Sequence, residues 1–220
     1  MALGRMLFVE LSGFVLELPS PELVDRLGSL GLCTRRDLKS CGALVRRLAQ
    51  DLPPFDVVWI DALVQQRRLT RYQGNALAEP ERYPLDVGPF LIQDQIGSTI
   101  GAQEYRAKHR ESGETVQLLI LDAEPQGGHL AVERLQERLR QWNGFSHPAV
   151  NVPHTVQIDR GRGVIVSPWI EGERLGDLLV RRGRFPVDVV WDIALQLISG
   201  LAFLEQAGRA WRQSVNETSA

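Results

Sequence analysis

The stretch Ile96–Ala107, IGSTIGAQEYRA, limits what this chain can fold into more than any other. Gly97 and Gly101 lie between two runs of strand character, Pro89–Ile96 and Ala102–Lys108, and a third apolar run, Thr115–Asp122, follows closely. Short runs of this kind joined by glycine-bearing turns read as consecutive antiparallel strands. Such a hairpin serves either as plain structure or as a flap over a nucleotide phosphate, since glycine lets backbone amides approach closely. What surrounds it has to decide.

Upstream, the residues call for helices. Ser20-Pro21-Glu22 supplies an N-cap and a proline at the first helical position, so a helix is expected to about Leu30. Thr34 with Asp37 is an acidic variant of the capping box, and Leu38, Leu44, Val45 and Leu48 continue it as an apolar stripe. Pro53-Pro54 ends that helix, Asp56 is expected to cap a third, and Leu69-Thr70-Arg71-Tyr72-Gln73 opens a short fourth. Met1–Leu18 is apolar and fits a strand or a helix. Residues 1–85 therefore read as a small helical module ending in a linker, Glu79–Gly88, that contains Pro80 and Pro84. Packing alone and docking of a partner both remain open as its role.

Downstream of the hairpin, an amphipathic helix is expected over His129–Trp142, strands over 152–159 and 163–169, a short helix over Glu173–Arg182 and a long one over Pro186–Gln206. The fold class is α+β.

Composition closes off several functions. With 220 residues and a net charge of −2, there is room for a core and no basic footprint for nucleic acid. Lys39 and Lys108 are the only lysines. Cys33 and Cys41 suit reduced, buried thiols in a cytoplasmic protein. Arg5 precedes an apolar run, but Glu10 and Glu17 interrupt it and no small-residue cleavage site follows, against a signal peptide. No uncharged apolar run reaches the ~20 residues of a membrane span.

From about Gly88 onward the chain resembles the eukaryotic-like Ser/Thr protein kinases of bacteria. The family flap, G-x-G-x-x-G-x-V, falls on Gly97, Thr99 and Ala102, with Gly101 beside the last, and the V-A-I-K strand falls on Val116-Gln117-Leu118-Leu119. Phe145-Ser146-His147-Pro148, Trp169-Ile170-Glu171-Gly172-Glu173 and Gly200-Leu201-Ala202 continue the match. The segment L-T-R-aromatic-Q also resembles one that precedes the kinase domain in such proteins. The resemblance implies a small lobe, of a five-stranded antiparallel sheet plus one helix, followed by the first helices of the large lobe over residues 86–220. It implies ATP and Mg²⁺ as the family's cofactors.

The residues that would do the chemistry depart from the family. Leu119 stands where a lysine pairs with the ATP phosphates, and Arg138 where a glutamate holds that lysine, with Glu137 adjacent. Lys108 lies seven residues beyond Gly101, roughly 20 Å along a strand, too far to substitute. Glu104 replaces the valine over the adenine, and a carboxylate there repels a triphosphate. Gln213 falls on the base aspartate and Thr218 on the metal-binding asparagine, and no D-F-G occurs before Ala220. The expectation is a truncated kinase-like protein that is not an enzyme and holds no cofactor or metal. Its role would be binding or regulation, through a protein partner or a second copy on the apolar helix Pro186–Gln206. The alternatives are a working fragment of a Ser/Thr kinase, or a decaying gene product.

Overall fold

The computed structural model describes residues 10–11, 14–15, 18–49, 55–122, 128–142 and 145–218. Pro53-Pro54, most of Met1–Leu18, and the side chains of Arg138, Gln213 and Thr218 lie outside the description.

Within Met1–Leu18 the described pieces are strands, β1 (Glu10–Leu11) and β2 (Phe14–Val15), paired antiparallel. Helix α1 (Pro21–Ser29) starts as its sequence dictates, the Ser20 hydroxyl accepting from the Leu23 amide at 3.1 Å. Helix α2 (Arg35–Ala49) begins behind the Thr34–Asp37 box: Thr34 donates its amide and its hydroxyl to Asp37 at 2.9 and 2.6 Å, and the Asp37 amide donates back to the Thr34 hydroxyl. Helix α3 (Asp56–Gln65) corrects one expectation. Phe55, not Asp56, is its cap, and the Asp56 carboxylate instead accepts from the amide and hydroxyl of Ser20. An acid in a first helical turn suits the dipole, and here it also ties two helix starts together. Helix α4 (Arg71–Ala78) follows.

A six-stranded antiparallel sheet comes next, in the order β3-β4-β5-β6-β8-β7. Its strands are β3 (Asp86–Val87), β4 (Phe90–Thr99), β5 (Ala102–His109), β6 (Thr115–Leu121), β7 (Thr155–Asp159) and β8 (Arg162–Pro168). Five strands were expected. The sixth is β3, formed by the end of the linker, where Asp86 and Val87 pair with Leu91 and Phe90. Helix α5 (Gly128–Gln141) precedes β7, and α6 (Leu175–Arg182) and α7 (Val187–Thr218) follow β8.

The chain divides into two compact units, each with its own core. The first comprises Met1–Ile96 and Ala107–Glu114. Leu27, Val45, Trp59, Leu63 and Ile92 are fully buried in it. The motif L-T-R-Y-Q does structural work here. Thr70 and Gln73 form a full capping box on α4, and the same two side chains reach β4: the Thr70 hydroxyl donates to Gln93 O at 2.5 Å and the Gln73 amide to Ile92 O at 3.1 Å. Between them Tyr72 Oη donates to Pro84 O at 2.6 Å. A helix start thereby bonds to two carbonyls of β4 and one of the linker. The two thiols are buried nearby. Burial pushes Cys33 up to about 11 and also raises Cys41, which donates to Gln66 Oε1 at 3.1 Å.

The second unit comprises Gly97–Arg106 and Thr115–Ala220. Val116, Leu118 and Ile120 of β6, Val164 and Val166 of β8 and Val156 of β7 are buried, as is Val132 of α5. Helix α7 is anchored over a short length. Phe203 stacks on His147 at 5.1 Å, Ser199 Oγ lies 3.1 Å from His147 Nε2, and a Cβ on Gly200 would sit 3.4 Å from Ala149. Beyond those contacts the helix shows apolar side chains to solvent, with Trp191 and Leu201 each 66 % exposed and Ile198 62 %. By length and composition Val187–Gly208, of mean hydropathy 1.7, could cross a membrane. Asp188, Asp192 and Glu205 leave Ile193–Leu204 as its longest uncharged run.

Candidate functional site

Of the residues singled out above, Gly97, Glu104, Gln117 and Leu119 belong to the sheet strands of the second unit. Bonds near both ends of the β5–β6 pair set its register: the Asp122 amide donates to Gly101 O at 2.9 Å and the His109 amide to Glu114 O at 2.8 Å. Counting between them places Glu104 opposite Leu119 and Arg106 opposite Gln117. Leu119 and Gln117 in turn pair with Ile165 and Ser167 of β8. Because strand side chains alternate, Leu119 and Gln117 share the face opposite to Val116, Leu118 and Ile120. The sheet thus gives Leu119 a carboxylate, Glu104, as its cross-strand neighbour.

That carboxylate has a partner the sequence did not reveal. Arg174, the residue before α6, pairs through its guanidinium with Glu104. The same guanidinium lies against Gly97: a Cβ there would meet Arg174 Nη1 at 2.7 Å. The first glycine of the flap therefore accommodates an arginine of this chain. Beside this pair, the Arg106 guanidinium stacks on the Trp169 ring at 5.0 Å, and Arg106 Nε and Trp169 Nε1 are buried without an acceptor among the described residues.

The flap itself is a tight hairpin. β4 runs to Thr99 and β5 resumes at the buried Ala102, leaving Ile100 and Gly101 as the turn. Gly101 takes φ +80°, a backbone that favours glycine, and Ile100 is fully exposed. Thr99 Oγ1 lies 3.5 Å from Ala102 O.

Lys108 is an exposed strand-end residue, with its Cε 3.6 Å from where a Cβ on Gly113 would lie, at the turn beyond β5. Glu137, the neighbour of Arg138 on α5, pairs with Arg140 at 3.0 Å on the surface. The largest correction concerns Trp211-Arg212-Gln213 and Thr218, expected as a catalytic loop. They continue α7, which runs unbroken to Thr218 rather than stopping near Gln206. No proline follows Pro186, and the residues after Gly208 are mostly helix-tolerant, so nothing local stops the helix.

No protein-family model matches the chain. Curated relatives do. It is 25% identical over 129 residues to CBL-interacting protein kinase 9 of Oryza sativa subsp. japonica, covering 59% of this chain and 28% of that one. It is 27% identical over 122 residues to CBL-interacting serine/threonine-protein kinase 3 of Arabidopsis thaliana, covering 56% and 28%. The chain thus spans under a third of the length of these relatives. Among solved structures it is similar to Rad53, with TM-score 0.46 and 19% identity over 61% of this chain and 34% of that one. It is also similar to the kinase domain of Mycobacterium tuberculosis PknI, with TM-score 0.47 and 17% identity over 56% and 51%. The chain is similar to Ser/Thr protein kinases over part of their length, and its α+β element order resembles a kinase small lobe followed by the start of the large lobe.

Proposed function

We propose that this chain is a kinase-like protein without phosphoryl-transfer activity that works as a binding or regulatory module in the cytoplasm. One observation carries the reading: the Glu104–Arg174 pair is seated against Gly97 and across from Leu119, the residues on which the kinase resemblance lays the first flap glycine and the lysine. Phosphoryl transfer needs cations aimed at the phosphates and a metal held by carboxylate or amide oxygens. Here the cation that lies against Gly97, Arg174, is engaged by a carboxylate, and a bound triphosphate would have to displace that carboxylate or suffer its repulsion.

The partner in this reading is a protein or a second copy, met through the apolar face of α7. Asp188 and Asp192 oppose insertion in a membrane, and the charge balance gives nucleic acid no footprint. A second reading, a fragment of a working kinase, is favoured by one feature: Arg174 is a cation at the flap and would serve a phosphate if Glu104 released it.

Transfer of labelled γ-phosphate from Mg–ATP to the chain itself or to a generic protein acceptor distinguishes the two. The proposal expects counts equal to a blank without protein. Incorporation above the blank that Arg174→Ala abolishes would establish the second reading instead.

A further inference from the structure

The first unit holds a concavity of about 670 Å³ that the kinase-like reading does not use. Arg67, Arg68 and Arg71 line it, against one carboxylate, Asp94. Arg68 is 3.3 Å from Asp37, and Asp94 has an interaction of its own. Arg67 and Arg71 make no ion pair among the described residues. Arginine guanidinium groups match carboxylates in a planar, two-pronged geometry. The same wall carries Gln93, whose side-chain oxygen is buried and has no donor among the described residues. A ligand completing this site brings acceptors for the arginines and an N–H for Gln93. A polynucleotide backbone brings only the first. An acidic peptide brings both.

We propose that this concavity binds an acidic peptide segment, with its carboxylates on Arg67 and Arg71 and a backbone amide on Gln93. The site does not depend on how the kinase-like face is read.

Two variants remove charge without threatening the fold. Arg71→Gln changes an exposed side chain. Arg67→Gly goes further, because Arg67 sits at φ +57°, just past α3, its amide donating to Val64 O and that of Arg68 to Leu63 O, where glycine is the residue the backbone favours. Its melting temperature is expected to hold or rise.

Fluorescence anisotropy on the full chain, with a labelled Asp/Glu-rich heptapeptide as probe, tests the site. The account expects saturable binding that weakens with added salt. Each variant should lose about tenfold or more in affinity. The Asn/Gln analogue of the peptide should not bind. Absence of saturable binding, equal binding of the neutral analogue, undiminished binding in both variants, or tighter binding of a single-stranded oligonucleotide would each overturn the proposal.

Discussion

Leu119 and Glu104 face each other across two strands, and that pair decides most of what the sheet face can do. Supplying the missing lysine should not restore chemistry. Leu119→Lys would place a cation beside Glu104, where it forms another ion pair rather than a phosphate contact, and the residues at the base and metal positions, Gln213 and Thr218, continue a helix. The expected result is no γ-phosphate transfer above blank. A second prediction at this scale concerns Asp37. Two hydrogen bonds from Thr34, then Arg68 nearby, hold its carboxyl below the usual carboxylate range. Its folded-state pKa is depressed, so its contribution is present above the unfolded value and is lost as pH falls through the folded one. Asp37→Asn should therefore lower the melting temperature at pH 7, and the difference should shrink in acid; a constant difference across that window would contradict this. Which of these contacts sequence could show follows from separation along the chain. The Thr34–Asp37 box spans three residues and was readable. Arg174 lies 70 residues from Glu104, and Ser20 36 from Asp56, so only the folded backbone brings them together.

Among the elements, strand and helix positions followed the sequence closely, because alternation, caps and glycine turns act locally. Two features did not. Strand β3 exists because β4 offers it an edge, not because Asp86-Val87 carries strand character. Helix α7 is longer than expected because the residues to which the family resemblance gives a loop have propensities that favour helix. The L-T-R-Y-Q segment was legible as a helix start but not as a fastener, since its partners are β4 carbonyls. Gln73 is buried, 6 % exposed, with its amide on Ile92 O. Gln73→Leu should leave that carbonyl unpaired and break the capping box, lowering stability by about 1–3 kcal/mol in denaturant titrations. A loss below the error of the midpoint would mean the contact is incidental.

For the molecule as a whole, the exposed apolar side chains of α7 weigh most. Large side chains exposed on one helix each forgo about 1.5–3 kcal/mol of burial. Several of them together rival the stability of a domain. The purified chain should therefore self-associate or bind an apolar dye, as light scattering behind a sizing column would report; a monodisperse monomer at tens of micromolar that leaves the dye dark would show the face to be harmless. The central claim is that the kinase-like face takes no nucleotide, and a thermal-shift titration with Mg–ATP tests it most directly. A ligand at 100 times its dissociation constant stabilises by about 2.7 kcal/mol, which a melting curve resolves easily. The account predicts no shift up to millimolar Mg–ATP; a saturable rise in melting temperature would contradict it.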